Sequence, residues 1–470
     1  MQSFERHVCQ RLPLADSVFR LLDFCTEEGF LDDVFDRHRG RSYQDILTFP
    51  QFVRVISDTL LGRQRSAQQH FQDAQDEGTL PTCVEALYGK LRRVPLTLSQ
   101  GLLGEATCRL RQVFPNATDP LPASLDALEV VAFDGKKIKF VAKRLKALRV
   151  VRGQILGGKL LVAQHVATGL AVAIQADADG EASDNSLVSG AVAQVRQCNP
   201  GKSHLWVGDR AFCDLKQIPV LKSDGDHFLL RYHPKTHFYR DEERSVQTGV
   251  DSRGVPYTDE WGWLGMADNP QRQYVRRITL HRLGQEAIIV VTDLLDGVAY
   301  PAADLLETYR RRWGIEKLFQ RVTEVFDLRH LIGSTPQATV FQAAFCFLLS
   351  NVIQTIRSYV AQTQECQPEE ISTQLLFEDV VEELTVWHKF LSVAQTVEWL
   401  GEGLTTAAQV MAYLRERLAP TWKARWRKAK AKKPPKEKPP TRYLHGGHSS
   451  VYRIQRNLHE LSSDPDQTNE

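Results

Sequence analysis

The stretch Leu128 to Gly135, LEVVAFDG, is an apolar run with adjacent valines that stops at Asp134, followed by a glycine. A short apolar run closed by an Asp-Gly turn signal reads as a buried β-strand. Downstream, Gly158 to Thr168 (GKLLVAQHVAT) and Leu170 to Ala176 (LAVAIQA) meet at Thr168-Gly169 and read as a hairpin. Asp184 to Gln197 has helical periodicity, with Ser183 or Asp184 placed to cap it. Ser203 to Arg210 (SHLWVGDR) is a fourth strand and again ends in an aspartate, Asp209. Leu215 to Leu221 reads as a short helix, and His227 to Tyr232 (HFLLRY) as a fifth strand.

Three strands, a helix, a strand, a helix and a strand is the element order of an RNase H-like fold. The first and fourth strands are neighbours in that order, so Asp134 and Asp209 are expected at one edge of the sheet. A third acid comes from Tyr309 to Leu328, YRRRWGIEKLFQRVTEVFDL, which has no proline and a single glycine, Gly314. Its apolar positions (Ile315, Leu318, Phe319, Val322, Phe326) recur at three- and four-residue steps and predict one amphipathic helix. Tyr309, Arg312 and Glu316 then share a face. On a solvated helix this spacing is an ordinary Arg-Glu pair; two strand-end aspartates give it a second reading. Two carboxylates on adjacent strands and one on a helix suit a pair of Mg²⁺ ions, with Mn²⁺ as the expected substitute. Such ions take carboxylate and phosphate oxygens and, about 3.5 to 4 Å apart, stabilise the entering and leaving oxygens of an in-line displacement. In this scheme Asp134 bridges the ions, and Asp209 and Glu316 each complete one coordination shell.

The rest of the chain frames this core. Its 470 residues allow several domains, and a net charge of +2 means that any nucleic-acid surface must come from local segregation of charge. The opening MQSFERHVCQRL has no apolar h-region, so no signal peptide is expected. Phe341 to Ile356, interrupted by Gln342, Ser350 and Asn351, is too short for a membrane span and predicts a buried helix. Eight scattered cysteines without a C-x-x-C predict reduced thiols and neither zinc nor a disulfide framework. Residues 1–120 read as helical, with basic clusters at Arg37 to Arg41 and at Lys90, Arg92 and Arg93; both a DNA-binding and a plain interaction domain fit. Residues 121–232 and 298–360 form the expected catalytic core, and 233–297 an insertion too long for a loop. In it Tyr274 to His281 and Glu286 to Thr292 read as strands around a Leu283-Gly284 turn. Residues 361–420 read as a helical C-terminal domain. Residues 421–470 read as a tail whose Trp422 to Arg442 (WKARWRKAKAKKPPKEKPPTR) is a mobile basic arm suited to DNA, with an acidic end from Glu460. The expected fold class is α+β and multidomain: an RNase H-like mixed α/β catalytic core with a β-strand insertion, and helical N-terminal and C-terminal domains.

Val131-Ala-Phe-Asp134-Gly135, Gly208-Asp209-Arg210-Ala-Phe and Tyr309-x2-Arg312-x3-Glu316 together resemble the bacterial DDE transposases of the insertion-sequence-four group. The resemblance spans roughly Ala127 to Ile356 and rests on three motifs in the expected order. It implies a DNA transposase that binds the terminal inverted repeats of a mobile element. It implies Asp134, Asp209 and Glu316 as metal ligands, and Tyr309 and Arg312 as phosphate contacts near the cut end. Arg210, beside Asp209, joins the expected DNA contacts. It also implies a β insertion that in some members carries a base-holding Trp, for which Trp261 and Trp263 stand as candidates against a packed β core. Arg276, Arg277 and Arg282 are the insertion's phosphate-contact candidates. One departure is Thr323, which stands where the family has Lys seven residues after the Glu. Either a cation from another segment replaces it, or Gln320 and Thr323 bind phosphate neutrally, or activity is reduced. The expected partners are double-stranded DNA, as element ends and target, and a second copy of the chain, with no membrane. The expected location is the bacterial cytoplasm, on the nucleoid when DNA is bound. A metal-dependent nuclease without strand transfer, and a catalytically silent transposase-derived DNA binder, are the alternatives.

Overall fold

The computed structural model describes residues 3–61, 66–115, 120–139, 141, 149, 153, 155–198, 201–325, 331–401, 404–428 and 449–462. Its centre is a mixed sheet of ten strands: β1 (Glu129–Ile138), β3 (Gly158–His165), β4 (Ala171–Asp177), β5 (His204–Gly208), β6 (His227–Arg231), β7 (Phe238–Arg240), β8 (Gln247–Val250), β9 (Pro256–Leu264), β10 (Gln273–Leu280) and β11 (Ile288–Thr292). β2 (Ile155–Leu156) lies outside it and pairs in parallel with β12 (Ser449–Ser450). The order β4-β3-β1-β5-β6, antiparallel across β4, β3 and β1 and parallel across β1, β5 and β6, is the RNase H-like arrangement. The inserted strands extend the same sheet, because β11 pairs antiparallel with β6 and is followed by β10, β9 and β7.

The Asp-Gly step does not end β1. Antiparallel pairing with β3 carries the strand on to Ile138, and only the parallel pairing with β5 stops, at Ala132 opposite Val207. Gly135 permits this, since a Cβ there would lie 1.8 Å from the Asp184 carboxylate. Side chains alternate along a strand, and both faces of the central strands are covered. Val131, Phe133, Trp206 and Phe228 pack against Val188, Ala191 and Val195 of α8 (Val188–Cys198). Val130, Ala132, Leu205 and Val207 pack against Leu305, Leu306 and Tyr309 of α10 (Ala302–Arg311). Two helices of the core are thus placed by the two apolar sides of the same strands.

Among the described residues seven α-helices precede the sheet: α1 (Ser3–Arg11), α2 (Pro13–Cys25), α3 (Glu28–His38), α4 (Phe49–Leu61), α5 (Ala67–Asp76), α6 (Val84–Arg93) and α7 (Leu96–Gln112). α9 (Ile218–Leu221) follows β5, and α11 (Trp313–Glu324) and α12 (Pro336–Thr363) follow α10. α12, at 28 residues, is longer than its apolar stretch suggests. By length and composition it could cross a membrane, but its whole apolar window is buried inside the protein. Asn351, fully buried at its middle, donates to Thr107 Oγ1 on α7 (2.9 Å) and the Ala171 carbonyl (2.8 Å) and accepts from Ala171 N–H (2.9 Å). That polar residue locks the N-terminal helices, the central helix and β4 in one register, because an unmade buried bond costs more than a made one returns.

Further along the described residues lie α13 (Thr373–Phe390), α14 (Val393–Leu400), α15 (Ala407–Leu418) and α16 (Val451–Ser462). Two expectations need correction here. The basic arm does not begin at Trp422: Trp426 is fully buried, with its indole N–H on Asp379 (2.5 Å), and Lys423 pairs with the same carboxylate (2.6 Å). A buried acid on α13 therefore holds Trp422 to Lys428 against the body. Positions 429–442 of the arm, and the acidic end after Ser462, lie outside the described residues, and Glu460 itself belongs to α16. Second, Cys108 of α7 and Cys198 at the end of α8 form a disulfide 90 residues apart in sequence. No spacing rule signals such a pair; the packing of α7 on α8 brings it together.

Candidate active site

Alternation along the strands decides where the acids point. Val130 and Ala132 of β1 face α10, so Asp134 faces that side too; Leu205 and Val207 of β5 do the same for Asp209. The last parallel pair is Ala132 with Val207, and two residues beyond it come Asp134, still on β1, and Asp209, just past the end of β5. Asp209 then caps a short 3-10 turn, accepting from Ala211 N–H at 2.7 Å. Asp134 accepts from Gly135 N–H at 2.8 Å.

Glu316 reaches this edge from α11, which packs on β1. The expected single helix is in fact two: α10 ends at Arg311, Arg312 forms the joint with three-residue hydrogen bonds on either side, and α11 starts at Trp313. Phe326 to Leu328 lie outside the described residues. The joint keeps Arg312 and Glu316 together, with the guanidinium donating to the carboxylate at 3.1 Å. Arg312 is 4% exposed, its Nε has no hydrogen-bond partner among the described residues, and its charge centre lies 5.7 Å from the Tyr309 ring. Tyr309 is 2% exposed and its hydroxyl also lacks a partner. Both polar groups thus face the site without a protein acceptor.

The electrostatics report the convergence. Burial and then the charge of Asp209 push the Asp134 carboxyl up to about 6, with Glu316 adding to the effect and Arg312 opposing it. Burial acts against the Arg312 cation, but the charges around it, including Asp134, Glu316 and Asp209, raise its pKa overall. Three carboxylates facing one guanidinium are a hard oxygen donor set short of positive charge, which fits a divalent cation. Among the described residues no three acid, histidine or cysteine side chains are already drawn into a ligand cluster. Glu316 takes Arg312 as its counter-ion.

The other expected contacts divide. Arg210 is exposed at the site's edge, with Glu286 at 2.8 Å. Arg276 is buried at 1% exposure, held by Asp259 at 2.5 Å and donating to the Tyr300 carbonyl, so it cannot meet a phosphate. Arg277 is committed to Glu260 at 2.7 Å and stacked on Phe238, and Arg282 donates to the Glu286 carbonyl. Trp261 is 3% exposed, with its indole on the Leu295 carbonyl, so it belongs to the packed β core. Trp263, 39% exposed with Arg272 over its ring at 4.3 Å, remains on the surface. Thr323 donates to the Phe319 carbonyl (2.7 Å), and Gln320 to Glu324 (2.8 Å), so neither side chain is uncommitted.

Sequence reading missed Lys136. Two residues after Asp134, it shares that residue's face of β1, and its Nζ lies 4.9 Å from the Phe319 ring, one helical turn before Thr323. Burial, then Lys139, pushes its ammonium down to about 8 against the pull of Asp134 and Glu324. The period-two spacing from Asp134 was the available signal.

No curated protein sequence matches the chain. Among solved structures it is similar, at 9% identity and a TM-score of 0.34, to a piggyBac transposase in a synaptic complex with hairpin DNA, over 87% of this chain and 84% of that one. Likeness at that level carries no argument. Residues 128–352, which include Asp134, Asp209, Arg312 and Glu316, match a family model described as the transposase DDE domain.

Proposed function

We propose that the chain is a DNA transposase that binds the inverted repeats at the ends of an insertion sequence, cuts there and joins the freed end to target DNA. The observation that carries this is the position of Asp134 on β1 and Asp209 just past the end of β5, each two residues beyond the last parallel pair, with Glu316 held by Arg312 from α11 and Asp134 feeling the charge of both other acids. Asp134, Asp209 and Glu316 would hold Mg²⁺, or Mn²⁺ in its place. When bound, two such ions supply Lewis acidity to the entering and leaving oxygens of a phosphodiester displacement. The chain's own residues do the rest. Arg312 and Tyr309, polar groups buried without a full set of partners, would orient a non-bridging phosphate oxygen. Arg210 and Trp263 offer an exposed cation and an exposed ring to flanking DNA. A homodimer bridging two ends, acting in the bacterial cytoplasm on nucleoid DNA, completes the reading.

Lys136 supplies the positive charge that Thr323 lacks, from β1 instead of α11. Lys136→Gln is expected to slow end joining by about 10- to 100-fold, the scale of losing one charge-stabilising donor, with Lys136→Arg retaining most of the rate. Initial rates on a pre-nicked end check this.

The proposal is tested with Mg²⁺ and a duplex carrying the repeats that flank the gene. Joined products support transposition. Nicks alone support a nuclease, and a shifted band alone a silent binder; either result overturns it.

A further inference from the structure

Beside the acid cluster, α11 turns a second face toward a cavity of about 630 Å³ closed on its far side by α12 and the start of α13. None of the three acids lines it. Seven cationic side chains and three acidic ones do. Glu307 is neutralised by Arg310 at 2.7 Å, and Glu369 lies 3.7 Å from Arg357 and is itself mostly exposed. Positive charge is therefore in excess, and part of it is buried. Arg357 is 2% exposed, donates to Thr373 Oγ1 at 2.8 Å and leaves its Nε without an acceptor among the described residues; the buried Nε of Arg321 likewise has none there. These two guanidiniums share one desolvated space: burial, then Arg357, pushes Arg321 down to about 9, and burial, Arg357, Lys317 and Arg321 all lower Lys428. Like charges held together with open donors are the arrangement of an anion site, because an anion supplies both missing acceptors and countercharge.

We infer that this cavity binds backbone phosphates of the DNA lying alongside the cleavage point, with Arg321 and Arg357 at its floor and Lys317 and Lys428 at its rim. The inference deepens the transposase reading and rests on it for the identity of the nucleic acid. Three observations favour a DNA strand over a small anion. The cavity is far larger than one phosphate needs. Trp313, 53% exposed on its lining, presents a ring on which a base can stack. Lys428, on the lining, is also in sequence the first residue of the lysine-dense run KAKAKKPPKEKPPTR. On the helical wheel Gln320, part of the lining, is one turn from Glu316, so a strand leaving the acids along α11 meets the cavity next.

The test measures binding of a labelled duplex to Asp134→Ala protein in Ca²⁺, so that no cutting intervenes, across a range of salt concentrations. Adding Arg321→Gln is expected to weaken binding about 5- to 10-fold at low salt and to flatten the log-log salt dependence by about 0.9, the signature of one lost phosphate contact. Arg321→Lys should keep the slope. Equal melting temperatures of the proteins exclude misfolding, and Lys317→Gln on the rim gives a second, structurally harmless variant with the same expected direction. An unchanged slope in both Gln variants overturns the inference. So does a site for small anions only, seen as inorganic phosphate raising the melting temperature of the parent but not of Arg321→Gln while the DNA slope stays put. Because joining is not read, a failure of the transposase reading leaves this result intact, and the two can fail separately.

Discussion

Asp134→Ala is expected to abolish cutting and joining, by about 10³-fold or more, since losing the shared ligand removes several kcal/mol of transition-state stabilisation. The same position should also reveal itself without DNA. Asp134 has its carboxyl raised from 3.8 to about 6, first by burial and then by Asp209. The sign follows from linkage: the folded protein binds the proton more tightly than the unfolded chain, so this group's contribution to stability is complete below pH 3.8 and is lost as pH rises through about 6. In EDTA at pH 7.5, Asp134→Asn is then expected to be more stable than the parent by about 2 kcal/mol, and the difference should shrink below pH 5. Thermal denaturation across pH reads it. A variant that is inactive yet more stable marks a site whose charges are assembled at a cost to the fold. An Asp134→Asn protein less stable than its parent at both pH values would mean that the carboxylate is a structural partner.

The second large effect lies in the extended part of the sheet. Asp259→Ala should destabilise the protein by about 3 to 5 kcal/mol, because it leaves the buried Arg276 cation without its counter-ion. Arg276 is 1% exposed and Asp259 is equally enclosed, with contacts of 2.5 to 3.0 Å between them on adjacent strands β9 and β10. Burial pushes the Asp259 carboxyl up even with Arg276 beside it, so the pair is only as good as its geometry. Replacing both, as Asp259→Leu with Arg276→Met, is expected to recover most of the loss, since an apolar pair of similar volume has no charge to desolvate. Urea denaturation of the parent and these two variants measures this. If Arg276 instead met phosphate, Arg276→Ala would keep its stability and change only the salt dependence of DNA binding.

These two cases show what a chain tells about itself. Strand order, and with it the adjacency of Asp134 and Asp209, was legible because apolar runs and turn signals are local and because both faces of the central strands are buried. The Arg312 to Glu316 spacing was legible for the same reason. The break at Arg312 was not: a helix that restarts after a single residue keeps the three- and four-residue steps that a continuous helix would show. Arg276 read as a phosphate contact, and Trp261 stayed open between a base holder and a packed core, because charge and aromaticity do not say which face of a strand is covered; the Leu295 and Tyr300 carbonyls that take up the two groups lie 34 and 24 residues away in sequence. The Cys108–Cys198 pair and the Arg321–Arg357 cavity bring together segments separated in sequence, and no local rule anticipates either. Lys136 was within reach, two residues from an acid already singled out.

Mn²⁺ titration followed by electron paramagnetic resonance, with duplex DNA present, tests the convergence of the three acids most directly. Two bound ions per chain in the parent, with binding lost in Asp134→Ala and reduced in Asp209→Ala and Glu316→Ala while all three variants keep the parent's circular dichroism spectrum, is the predicted result. The same number of ions bound with the same affinity by all four proteins would contradict it.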